Sequence, residues 1–157
     1  MPAPPKTRAF LRIAGALVVL ALIVSGALAH SGATGIVKQR MDMMSDIARL
    51  TKLIGQMVKR ETAFDAAQIE KAALSLREHA RMVPDMFPEG STQTPTEALP
   101  VIWTDWPGFA AANADFEAAA SDLAKAAATG DEKTITARFA AMGRTCGACH
   151  ERFRLKK

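Results

Sequence analysis

Four stretches of this 157-residue chain repeat apolar side chains at helical spacing. None shows the sustained alternation between hairpin signals that a half-buried strand requires, so an all-α chain without a sheet is expected. From Ile36 to about Arg60, Val37, Met44, Ile47, Ile54 and Val58 form a stripe, flanked by Met43, Leu50 and Met57. A second helix has a full set of start signals. Asp65 can cap it, Gln68 follows three residues later as in a capping box, and Phe64 and Ile69 hold the staple positions. It runs through Leu76 and Ala80 and should stop before Pro84. A third begins near Trp106-Pro107 and carries Phe109, Phe116 and Leu123 through an Ala-rich stretch. Thr129-Gly130-Asp131 closes that helix and opens the last, whose one face presents Ile135, Phe139, Met142, Cys146, Cys149 and Phe153.

Short links between the first and second helices, and between the third and fourth, make those pairs antiparallel neighbours. The predicted architecture is an antiparallel four-helix bundle with one long link between helices two and three. That link, Pro84 to Asp105, holds four prolines and is long enough in a compact domain to need a reason; a segment crossing over something would be one.

The first 29 residues have the composition of an address. Lys6, Arg8 and Arg12 precede a continuous apolar run from Ile13 to Val24, and Ala27-Leu28-Ala29 forms a small-x-small end. Twelve apolar residues are short for a membrane span, so a secretory signal is expected at 1–29, with an uncleaved N-terminal anchor as the alternative. Either way, the domain at 30–157 is exported, in the periplasm. This segment also accounts for most of the chain's basic excess, because the remainder carries 17 Lys and Arg against 16 Asp and Glu. So neutral a body argues against a nucleic-acid binder held by phosphate charge.

The chemistry is concentrated in Cys146-Gly-Ala-Cys149-His150, which contains the only two cysteines. C-x-x-C-H is the covalent haem attachment signature, in which both thiols add to haem vinyl groups and the adjacent His turns to the iron. On a helix these three residues share one face. A thioredoxin-like redox pair needs a preceding strand, which is missing. A structural zinc site needs four ligands, and only His30 and His79 could join, neither at zinc-motif spacing. A plain disulfide has no use for His150 and is strained within a helix. One covalent haem c is the expected cofactor.

The pattern then resembles the cytochrome c prime family, class II c-type cytochromes, over about residues 36–157. The resemblance rests on Val37-Lys38-Gln39-Arg40, on Phe64-Asp65-Ala66-Ala67-Gln68-Ile69, on Val101-Ile102-Trp103 in the link, and on Cys146-x-x-Cys149-His150-x-x-x-Arg154. It implies that His150 is the proximal ligand, with Arg154 beside it as an electrostatic modulator. It also implies that Arg40 sits near a haem propionate, which a guanidinium fork suits. Thr96 and Glu97 fall where the family's link passes the haem edge. Met44 takes the place of the side chain over the vacant face of the iron, and Phe87 joins the same distal pocket. Trp103 is expected to pack against the bundle.

In the family the distal residue is usually apolar and does not ligate, so the iron is high-spin and five-coordinate and can bind nitric oxide or carbon monoxide. A thioether can also ligate iron and favour electron transfer, which leaves a six-coordinate His/Met carrier through Met44 as the alternative. A carrier exchanges electrons with a redox partner, a gas-binding protein only incidentally; Arg152, Arg154, Lys156 and Lys157 could steer an acidic partner, and a capped helix end explains them equally well. No hydrolase elbow, P-loop or zinc-protease motif occurs, and His79 looks like an exposed helix residue with no claim to a peroxidase distal site, so no enzyme is expected. The resemblance finally implies a homodimer through helices one and two, with Leu53 and Met57 on a second face of helix one.

Overall fold

The computed structural model describes residues 32–156, so the segment 1–29 lies outside the described residues. Helix α1 spans Gly35–Val58 and α2 spans Ala66–Met82. A 3₁₀ turn at Pro84–Met86 and a single helical turn, α3, at Val101–Thr104 punctuate the long link. Helix α4 spans Trp106–Thr129 and α5 spans Glu132–Phe153. Among the described residues no helix is long and apolar enough to cross a membrane.

Local chemistry sets the helix ends. The Asp65 carboxylate accepts a hydrogen bond from the Gln68 amide at 2.9 Å, and Asp131 accepts one from the Thr134 amide at 3.2 Å. Asp105 does the same for Gly108 at 3.2 Å, with Pro107 in the first turn, where its missing N–H costs nothing. Gly130 stops α4 in the left-handed conformation at φ 73°. Asp65→Ala is expected to lower unfolding stability by about 1 kcal/mol, read as a shifted denaturant midpoint at unchanged slope.

Cross-helix contacts give the directions. Asn113 donates to the Ala80 carbonyl at 2.9 Å and Arg81 pairs with Glu117 at 2.7 Å, so α4 begins where α2 ends. Arg138 lies 3.7 Å from Asp122, and Arg152 pairs with Asp105, so α5 runs back along α4. His79 approaches Asp46 at 3.9 Å, and Arg60 pairs with Glu132. The four long helices are therefore an antiparallel bundle. The Ala-rich stretch serves its tightest seam. Ala72, Ala73 and Ala80 of α2 and Ala120, Ala124 and Ala127 of α4 are all buried, and α2 and α4 make the most extensive helix pair.

The core divides in two. One cluster, including Leu50, Ile54, Ile69, Leu76, Leu123, Ile135 and Met142, fills most of the bundle. A second, of Met43, Val83, Phe87, Ile102, Phe109 and Phe153, lies where the link crosses. Three expectations need correction. The buried stripe of α1 is centred on Val37, Met43, Leu50, Ile54 and Met57, whereas Met44, Ile47 and Val58 are only half-buried. Met57, expected on a second face, is 1% exposed and belongs to the core. His79 is not a free surface residue either: its side chain is 20% exposed, and its Nδ1 is buried with no partner. The three share one cause. A 3.6-residue period locates an apolar face only to within one residue's rotation, and α2 packs on the side that includes Met57 and Asp46.

Candidate functional site

Cys146, Cys149 and His150 occupy the last two turns of α5 at i, i+3 and i+4. All three are half-buried. Cys146 packs against the larger core cluster and Cys149 against the smaller, so the two thiols straddle the division of the core. Burial pushes both thiols up, and Cys146 adds to the effect at Cys149. Burial first, then the Arg154 charge, hold the His150 imidazole below its ordinary value, against an opposing pull from Glu97. The neutral imidazole is the form that ligates a metal.

One side of α5 beside these residues is open. Helix α1 meets it near the other end, through Arg60 and Glu132 and through the Phe139 ring, 3.4 Å from where a Cβ on Gly55 would stand. Gly143 and Gly147, which bracket Cys146, face open space: a Cβ on either would meet nothing within 4 Å. The contact between α1 and α5 is correspondingly sparse. A flat group attached at the two thiols has room on this side.

Arg40 carries the strongest electrostatic signal. It is 4% exposed, yet every acceptor that the structure gives it is neutral. Its Nε donates to the Met86 carbonyl at 3.0 Å and its Nη1 to the Thr96 hydroxyl at 3.2 Å. Its Nη2 donates to the Ser91 hydroxyl at 2.6 Å and to the Ser91 carbonyl at 3.3 Å. The guanidinium carbon also stands 4.1 Å from the centre of the Phe87 ring. Burial lowers the pKa of this group, and among the described residues no carboxylate offsets the effect. A buried cation paired only with dipoles is costly, and a carboxylate on a bound group would offset that cost.

The link is tied down at both ends. Trp103 Nε1 donates to the carbonyls of Phe87 at 3.1 Å and Pro88 at 3.0 Å, so Trp103 pins the link as well as packing. Further on, Ala98 and Arg154 form an isolated antiparallel bridge, with Leu99 N–H to the Phe153 carbonyl at 3.0 Å and Leu155 N–H to the Glu97 carbonyl at 2.8 Å. Arg154 thus stands immediately after α5, its amide bonded to the His150 carbonyl at 3.2 Å and its Nε 3.9 Å from the Glu97 carboxylate. Met44, one turn after Arg40, packs on the same small cluster as Phe87 and Cys149. Arg40, Met44, Phe87, Thr96, Glu97 and Arg154 are therefore gathered around the end of α5 that carries the cysteines and His150.

Ser91 was missed. It is 4% exposed and gives Arg40 two acceptors, but a Ser in a Pro-rich link has no pattern that marks it. The residues present fit a covalent haem: two thiols on one face, an adjacent neutral imidazole, an open helix side, and a buried cation without its anion.

Comparison with known proteins shows the family. The model of the family described as Cytochrome C' matches residues 35–154. Cytochrome c-556 of Agrobacterium tumefaciens (strain II Chrys) is 33% identical over 78% of this chain and 99% of its own length. Cytochrome c' of Rhodospirillum rubrum is 37% identical over 75% of this chain and 80% of its own. Among solved structures, cytochrome c prime from Shewanella frigidimarina superposes with a TM-score of 0.73 at 30% identity, covering 77% of this chain and 94% of that one. A nitric oxide complex of a variant of cytochrome c prime from Alcaligenes xylosoxidans gives 0.72 at 30% identity, covering 78% and 94%. The chain therefore belongs to the cytochrome c' family, whose members carry one covalent haem c.

Proposed function

We propose that this chain is an exported electron-transfer and gas-binding cytochrome, in which Cys146 and Cys149 attach the haem and His150 is the proximal ligand of a high-spin, five-coordinate iron. The observation that carries this reading is the pair of half-buried thiols and neutral imidazole on one face of α5, beside a helix side left open by Gly143 and Gly147. When bound, the group would supply a one-electron iron couple and a metal able to take a diatomic gas. The chain's own residues do the rest. His150 would hold the iron from α5, Arg40 would receive a propionate, and Arg154 adds to burial in lowering the proton affinity of the His150 imidazole. Met44 and Phe87 keep the distal side apolar, so that a neutral gas is accepted and water is disfavoured. The nitric oxide complex of the Alcaligenes relative supports extending gas binding to this chain.

Residues 1–29, as a leader, send the bundle to the periplasm; retained, they would tether it there. The resemblance also carries over a homodimer through α1 and α2, on a face that keeps Leu53 but loses Met57 to the core. The redox partner is a separate protein, steered by charge around the end of α5. Catalysis is not part of this reading.

The deciding measurement is the optical and EPR spectrum of the matured ferric protein, with nitric oxide added after reduction. High-spin signals, nitric oxide binding and a spectrum unchanged by Met44→Leu are expected. Low-spin signals with a sulfur-to-iron charge-transfer band, abolished by Met44→Leu, would instead make Met44 a ligand and the protein a dedicated His/Met carrier.

A further inference from the structure

One continuous run of hydrogen bonds joins the two sides of the site. Arg40, on α1 one turn before Met44, donates to the Thr96 hydroxyl at 3.2 Å. The amide of Ala98 donates to the same oxygen at 3.2 Å. Ala98 is the bridge partner of Arg154, and the flanking bonds from Leu99 to Phe153 at 3.0 Å and from Leu155 to Glu97 at 2.8 Å lock the two segments together. Arg154 in turn donates its amide to the His150 carbonyl at 3.2 Å. No other hydroxyl in the link spans both segments among the described residues: Ser91 receives Arg40 but is not bonded to the bridge.

We infer that Thr96 is a positioning residue that couples α1, which carries Met44, to the end of α5, which carries His150. The hydroxyl oxygen has two acceptor lone pairs, and this geometry uses both, one for each side. The Arg40 guanidinium is rigid and buried, and the bridge is a pair of backbone bonds. The single-oxygen joint between them is therefore the element most easily lost. A displacement of α1 by a guest beside Met44 is transmitted through this joint to the backbone that aims the His150 ring. This inference rests on the proposed haem ligation and adds a residue through which the distal side acts on the proximal one.

The test compares Thr96→Val, which keeps the shape and removes the oxygen, with Thr96→Ser, which restores it. Both are matured with haem, and two signals are read: amide hydrogen exchange at Ala98, Leu99 and Leu155, and the iron–histidine stretching vibration of the ferrous protein. Thr96→Val is expected to speed exchange at these amides by roughly tenfold and to shift the iron–histidine vibration. Thr96→Ser should return both to the parent values. A loaded Thr96→Val protein with an unmoved vibration overturns the coupling, even if its amides exchange faster. A shift that Thr96→Ser does not reverse overturns it too, because packing rather than the oxygen would then be responsible. A parent chain that takes up no haem overturns the proposed function itself, and this inference with it; that result is distinguishable at once by the missing haem absorption.

Discussion

A Cys146→Ala, Cys149→Ala double variant, matured beside the parent, is expected to carry no haem on a denaturing gel. The argument is chemical. A thioether survives denaturant, whereas an imidazole–iron bond does not, so gel-stable haem reports the thiols alone. The chain has only these two cysteines, so nothing else can take over the attachment. Each single variant keeps one thioether and should retain a reduced haem signal. His150→Ala should behave in the opposite way, keeping gel-stable haem while the ferric spectrum of the native protein changes. The fold should survive the double variant, because both thiols are half-buried at the rim of the core while Ile54, Leu76, Leu123 and Met142 fill its centre. Circular dichroism checks that point. Gel-stable haem in the double variant would remove the attachment site from α5 and sink the proposed ligation.

Much of this bundle was legible because its signals are local. Asp65 with Gln68, and Thr129-Gly130-Asp131, mark helix ends through hydrogen bonds that span three residues, and the structure shows the capping bonds at both places. The C-x-x-C-H site needs only one helix to bring its atoms together. What lies across the chain was harder to read. The turn α3 and the Ala98–Arg154 bridge sit in a segment whose prolines indicate a loop, and their bonds reach partners more than fifty residues away in the bridge. The burial of Arg40 is a property of the folded link, because Met86, Ser91 and Thr96 supply its acceptors from 46 to 56 residues downstream. The sequence could suggest its role only through resemblance. Met57 and His79 show the limit of periodicity, which gives the width of a face but not its bearing on a neighbour that has not yet been placed.

Arg40→Met is expected to destabilise the loaded protein more than the haem-free one, and the difference is the informative quantity. In the haem-free chain two effects oppose each other. Removing the guanidinium abolishes a desolvated charge whose acceptors among the described residues are all neutral, which is favourable. It also leaves the Met86 and Ser91 carbonyls and the Ser91 hydroxyl without this donor, and the Thr96 hydroxyl with the Ala98 amide alone, which costs more, because these acceptors lose most of their compensation. Met is an unbranched side chain that can still lie over the Phe87 ring, so packing changes little. The net loss in the haem-free chain should be about 2 kcal/mol. In the loaded chain the proposed ligation puts a propionate opposite the guanidinium, and removing the cation would leave that carboxylate partly buried without a partner. The loss should then rise to about 4 kcal/mol. Denaturant unfolding of both forms, parent against variant, measures the two values directly. Equal losses would mean that no anion approaches Arg40 when the haem is bound, and the buried charge would then serve only to hold the link.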